Sequence, residues 1–172
     1  MMRLLVPLGL FLASFLAAGL FTLNAVPAVI MGKAMERIEA AGAASGGVRH
    51  APRLREDNQT IVRASPDILY SVCAYDLSEG DLELSIPWPA DGNYASISFY
   101  DARTNNFAVI SDREAEGEAM HLILSSDPNA SALHAPTERG LALYRRVINA
   151  ETDLEAADAD RRGFTCTSLS DQ

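Results

Sequence analysis

Between Arg3 and Lys33 the chain carries no charged side chain, and Leu, Phe, Ala, Val and Ile make up most of the stretch. A helix of such residues can cross a bilayer, which takes roughly 20 residues rising about 1.5 Å each. Whatever follows must be held against a membrane or released beyond one. Met1, Met2 and Arg3 form the short positive start shared by signal peptides and signal anchors. The apolar part from Leu4 to Val26 exceeds the 7–15 residues usual for a cleavable core, and the small-residue site at Val26-Pro27-Ala28 contains a proline. An uncleaved, single-pass anchor is therefore favoured over a cleaved signal, with the lipid bilayer as the partner of residues 4–31.

The organisation expected is a transmembrane signal anchor over residues 1–32, a juxtamembrane helix and flexible linker over 33–56, and one domain over 57–172. Pro27 is placed to kink the helix, and Ala43 to Gly47 to form a flexible joint. Gly9, Ala13 and Ala17 put small residues on one helical face, a spacing that allows close helix approach but is common in any such helix. Basic residues flank both ends of the span, so their count does not set its orientation.

Of 14 basic and 23 acidic residues, 11 and 21 lie beyond Ala44, a net charge of −10 for the soluble part. A surface of that sign repels nucleic-acid phosphates and anionic lipid headgroups, so neither is an expected partner of this domain. Cys73 and Cys166, far apart behind an export-type segment, are a disulfide pair or two free thiols. The pairing tips the reading toward a C-terminal domain exported to the periplasm from a bacterial inner membrane. Neither cysteine belongs to a C-x-x-C pair, which leaves zinc and redox roles without support.

Beyond Thr60 the hydrophobic period becomes 2. Leu82, Leu84 and Ile86 alternate with Glu83 and Ser85, and Ile97 and Phe99 alternate with Ser96, Ser98 and Tyr100. Met120, Leu122 and Leu124 repeat the pattern, with Ile123 breaking it; further strands fit Ile68–Asp76, Phe107–Ser111 and Leu141–Ile148. Turn formers separate them at Ser78–Asp81, Asp91–Asn93, Thr104–Asn106 and Ser126–Asn129. Six to eight short antiparallel strands predict a mainly β fold, a β-sandwich of jelly-roll type. One helix fits near Asp153 to Arg162, with acids early and arginines late as the dipole prefers.

These strands carry a resemblance. Ser65-Pro66-Asp67-Ile68-Leu69-Tyr70-Ser71, then Tyr75-Asp76-Leu77-Ser78-Glu79-Gly80, Ile86-Pro87, Tyr94, Phe99-Tyr100-Asp101 and Thr104-Asn105-Asn106-Phe107 follow in order. Ala135-Pro136-Thr137 then precedes Leu143-Tyr144-Arg145-Arg146-Val147-Ile148 and the acidic helix. Together they resemble, over roughly 57–162, a bacterial family known only as a domain of unknown function, number twelve fifty-four. That family usually has Asn-x-Asp-Thr where this chain has Ser65-Pro66-Asp67-Ile68. Larger relatives join this domain to a companion of jelly-roll-like architecture, number twelve fourteen. The resemblance implies a fold and an exported setting and brings no reaction; the protein partner expected is a separately encoded companion.

Chemistry is sparse. His50, His121 and His134 fall in a linker, a strand and a loop edge without metal-ligand spacing, although the last two can face each other across neighbouring strands. The acidic run Asp112–Glu118 lacks the oxygen periodicity of a calcium loop and reads as a solvated hairpin tip. No nucleophile elbow, P-loop or dinucleotide turn is present, and pairing Ser71 with His121 or His134 has no support from spacing. No metal or cofactor is implied. The polar residues most worth following are Asp67, Tyr70, Ser71, Tyr100, Asp101 and Arg145, with Asp76 beside them. Arg145 lies in line with Leu141, Leu143 and Val147, and is expected as a buried guanidinium paired with Asp76 or Asp101. The function expected is a non-catalytic binding or assembly module; the rival is a small-molecule binder or enzyme using a cleft lined by Tyr70, Tyr100 and nearby acids.

Overall fold

In a computed structural model, residues 2–40, 47–55, 57–58, 64–114 and 117–169 are described, with side chains from Val6 onward. The joint expected at Ala43–Gly47 falls outside them except for Gly47, as do Ala115 and Glu116 of the acidic run.

The apolar run forms α1 (Met2–Ala40), continuous through Pro7 and Pro27. It is long and apolar enough to cross a membrane, as an anchor or as a signal sequence. Its two halves differ. Large side chains from Val6 to Leu23 are exposed, whereas Met31 and Met35 are buried, one helical turn apart on a single face. That stripe packs on the strands described next, so the second half of α1 belongs to the folded body.

Nine strands follow: β1 (Val48–His50), β2 (Ile68–Asp76), β3 (Leu82–Pro87), β4 (Ala95–Asp101), β5 (Asn106–Ser111), β6 (Ala119–Ser125), β7 (Leu133–His134), β8 (Arg139–Val147) and β9 (Thr165–Ser168). They form a five-stranded antiparallel sheet in the order β1-β2-β8-β4-β5 and a four-stranded sheet in the order β7-β6-β3-β9. The fold is mainly β, and the single parallel pairing among the described residues is β6 with β7. The short helix α2 (Leu154–Arg162) is capped by Asp153, whose carboxylate accepts from the backbone N–H groups of Glu155 and Ala156.

Both sheets feed one apolar core. The larger contributes Cys73, Tyr75, Ile97, Phe99, Ala142 and Tyr144, the smaller Leu82, Leu84, Ile86, Leu124 and Cys166. Cys73 and Cys166 are joined by an S–S bond of 2.04 Å that ties β2 to β9 across this core. The alternation anticipated for β3 is the alternation that is buried, whereas β4 is buried on both faces, Ser96 and Ser98 as fully as Ile97 and Phe99; the odd member of β6, Ile123, turns out to solvent.

β8 departs from expectation. Its inward residues are Gly140, Ala142, Tyr144 and Arg146, while Leu141, Leu143, Arg145 and Val147 face outward and are half-buried. Small inward residues are needed because β8 pairs with β2, opposing Gly140 to Tyr75 and Ala142 to Cys73. Tyr75 lays its ring across Gly140 and donates its hydroxyl to the Tyr100 carbonyl at 3.0 Å. A methyl on Gly140 would collide with that ring and with the Tyr100 carbonyl oxygen. Gly140→Ala is therefore expected to destabilise the fold by roughly 3 kcal/mol, the upper end of overpacking effects, in a denaturant titration.

β1, β7 and β9 were not anticipated. Residues 33–56, read as helix and linker, contain β1, which pairs with β2 through Val48–Cys73, Arg49–Val72 and His50–Ser71.

Candidate functional site

The residues singled out from the sequence do not converge on one point. Register places Tyr70, Arg145, Ser96 and Ser111 side by side across β2, β8, β4 and β5, a polar row on the outward face of the larger sheet. Tyr100 lies on the same face but in another row, beside Leu141 and Ala74. Ser71 and Asp101 have the opposite parity and point inward, both buried, and Asp67 is exposed just before β2.

Asp101 is a turn clamp. One carboxylate oxygen accepts from the N–H groups of Arg103 and Asn105, each at 2.8 Å, and the other from the Asn105 amide at 2.8 Å. Burial alone would raise this carboxyl, but those hydrogen bonds and the nearby Arg103 charge outweigh it and hold it below its ordinary value. The clamp supports Thr104 at φ 65°, a left-handed conformation that a β-branched residue adopts only when its surroundings impose it.

The expected buried ion pair exists one residue along. Arg145 is half-buried and donates to Ser98 Oγ at 2.7 Å, with no carboxylate partner among the described residues. Arg146 is the buried guanidinium, 1% exposed, and its Nη2 reaches Asp91 at 3.2 Å and Asp160 at 3.0 Å. Asp76 pairs instead with Arg139 at 3.0 Å. The face assignment was inverted because Leu141, Leu143 and Val147 look like a core stripe, whereas the true inward stripe is small and polar.

Arg146 lies at the base of a cleft of about 420 Å³ between the β3–β4 loop and the start of α2. Most polar side chains at its mouth are bonded to one another. Asn93 bridges Asp91 and Thr152, Asn149 accepts from Glu151 and Thr152, and the Asp153 carboxylate is spent on capping α2. The arrangement pins two loops to β8. Tyr70 and Tyr100 do not line it.

A second polar cluster was missed because it depends on β1. His50 Nδ1 lies 2.8 Å from Ser71 Oγ, beneath α2, where buried Arg161 donates to the carbonyls of Ala51 and Tyr70 and pairs with Asp158. Ser71 is fully buried, which closes it to a substrate. Neither His121 nor His134 approaches it: His121 opposes Ser85, and His134 pairs beside Ser125, four residues further along β6. No cluster of three metal-ligating side chains occurs among the described residues.

Burial and the charges of Arg161 and Arg162 lower the His50 pKa below its ordinary 6.5, against a smaller opposing pull from Asp158. A group whose folded pKa is depressed stabilises the fold fully above its unfolded value and loses that contribution as pH falls through the folded one. Thermal stability is thus expected to decline from pH 7 toward pH 5. His50→Gln should flatten that decline; a slope equal to the parent's would remove His50 as its cause.

One edge of the larger sheet is open among the described residues, although a register shift against β4 skips Phe107 and bulges the start of β5. Among the described residues β5 is hydrogen-bonded to β4 alone, it contains no charge and no proline, and Val109 is 48% exposed. Natural edge strands usually carry a charge, a proline or a bulge that discourages a further strand.

The family model described as protein of unknown function (DUF1254) matches residues 46–168. Among solved structures, the fold is similar to a Vibrio parahaemolyticus protein at TM-score 0.53 and 15% identity, over 62% of this chain and 29% of that one. It is also similar to an uncharacterised Burkholderia cenocepacia protein at TM-score 0.53 and 16% identity, over 80% of this chain and 40% of that one. The chain thus spans less than half the length of either. No curated protein matches it.

Proposed function

We propose that this chain, which belongs to the DUF1254 family of proteins of unknown function, is a single-pass bacterial inner-membrane protein whose periplasmic domain is a non-catalytic binding or assembly module. In this reading the two sheets form a β-sandwich of jelly-roll type, and α1 is an uncleaved anchor. The observation that carries it is the division of α1: an exposed apolar rod from Val6 to Leu23 runs without interruption into a stripe buried on the sheet at Met31 and Met35. A signal to be removed gains nothing from packing on the mature domain, whereas an anchor so packed holds the domain in one pose above the bilayer. The clamp between Cys73 and Cys166 fits an oxidising compartment.

The surface offered to a partner is the free edge of β5. An extended segment of a companion protein can continue the sheet there by main-chain hydrogen bonds, with Val109 as an apolar contact. A photo-crosslinking residue at Val109, activated in intact cells before detergent solubilisation, should yield a defined higher-mass adduct. The same probe at Glu151, beyond the far end of β8, should not. A chain recovered only at its own mass from both positions would overturn the reading.

A further inference from the structure

We infer that the turn between β4 and β5, residues 102–105, together with the start of β5, is seated in the phospholipid headgroup layer and contacts lipid phosphate through Arg103. The inference deepens the anchored reading and rests on it. Three observations on α1 and the turn carry it.

The first is a tie between span and domain. Arg103 Nη2 donates to Asn24 Oδ1 at 2.8 Å, so the turn stands at the level of a residue inside the uncharged run. The second is the length of that run. From Leu4 to Gly32 it has 29 residues, about 43 Å of helix, which matches the roughly 40–45 Å of a bilayer with its headgroups rather than the hydrocarbon alone. Val26, Val29 and Ile30, all past Asn24, are 45%, 61% and 57% exposed, and the first charge after them is Lys33. Lipid must reach these residues if they are not to face water, and Gly32 lies about 12 Å beyond Asn24 along the axis. Asn24, and the turn bonded to it, are therefore below the outer limit of the headgroups.

The third observation is the charge the turn presents. The domain carries −10 overall, a balance that opposes contact with lipid phosphate. At this tip Arg103, Thr104, Asn105 and Asn106 are exposed, while the one carboxylate, Asp101, is buried and turned back to clamp the backbone. The turn itself thus presents a cation among neutral polar groups. A guanidinium suits phosphate because it can offer two parallel N–H donors.

The test uses the full chain in vesicles of phosphatidylethanolamine and phosphatidylglycerol, with bromine placed on the acyl chains either near the headgroup or near the chain end. In a Trp88→Phe background, a single tryptophan is introduced as Phe15→Trp, Asn106→Trp or Glu151→Trp. Asn106→Trp should lose emission to headgroup-proximal bromine, and less to chain-end bromine. Glu151→Trp, past the Val147 end of β8 and away from the Arg139 end where α1 docks, should lose none to either. Phe15→Trp should be quenched strongly by chain-end bromine. If Phe15→Trp is not quenched, the anchored reading itself fails. If Phe15→Trp is quenched while Asn106→Trp emits as in unbrominated vesicles, the anchor stands and the seating of the turn is refuted.

Discussion

Arg146→Ala is expected to lower the unfolding free energy by about 3–4 kcal/mol, while Arg145→Met, one residue away, costs about 1 kcal/mol. The guanidinium of Arg146 is shut away from water and meets two carboxylates, Asp91 from the β3–β4 loop and Asp160 from α2. Removing one member of a buried charge cluster leaves the others uncompensated, which costs about 3–5 kcal/mol when they are fully buried. The side chains of Asp91 and Asp160 keep about a third of their exposure, so water recovers part of that penalty and the lower part of the range applies. Arg145 has no carboxylate partner among the described residues and donates one hydrogen bond to Ser98, whose loss is a smaller matter. Urea titration of both variants checks the contrast. A reversed order would return the buried pair to Arg145.

Removing the disulfide should have an effect of similar size. The bond joins residues separated by 93 positions, so it restricts the unfolded chain strongly, and loop-closure entropy puts its contribution at about 4.6 kcal/mol. It also joins the larger sheet to the edge strand of the smaller. Of the described strands, β9 is hydrogen-bonded to β3 alone, through four register pairs from Leu82–Ser168 to Ser85–Thr165. Without the bond β9 keeps that ladder, the hydrogen bond from the Leu169 N–H to the Asp81 carbonyl at 3.0 Å, and its neighbour Phe164, which packs on Tyr144 at 5.9 Å between ring centroids. Cys73→Ala with Cys166→Ala should therefore unfold at lower denaturant and expose the segment after α2 to protease first. Loss of stability without early cleavage near Phe164 would place the effect in the unfolded state alone.

Much of the β architecture is legible in the sequence because a two-residue period leaves little freedom. Ile68–Asp76 is bounded as expected, and β3, β4, β5, β6 and β8 lie within a few residues of the expected spans. The cap at Asp153 follows from its short acceptor side chain preceding an acidic first turn. What stays hidden is short or hetero-polar. β1 reads Val-Arg-His, β7 is two residues, and β9 reads Thr-Cys-Thr-Ser, none long enough to show a period. Missing β1 hid the contact of His50 with Ser71, since only strand pairing brings residues 21 positions apart together. The faces of β8 were legible only with the structure, because its inward side is Gly, Ala, Tyr and Arg, chosen to make room for Tyr75 and the disulfide. The docking of α1 likewise left no distinct trace: Met31 and Met35 suit lipid and protein equally well.

The proposed anchor and the proposed seating of the β4–β5 turn both require one chain whose lipid-spanning helix remains part of a disulfide-clamped domain. Intact mass spectrometry of protein from alkali-washed membranes, prepared with free thiols blocked and no reductant, tests both halves together. The predicted result is the uncut chain of 18.5 kDa in the membrane pellet, carrying no thiol-blocking group and lighter by the pair of hydrogens lost to the Cys73–Cys166 bond. A soluble product beginning at Val29, or a chain with both cysteines blocked, would contradict it.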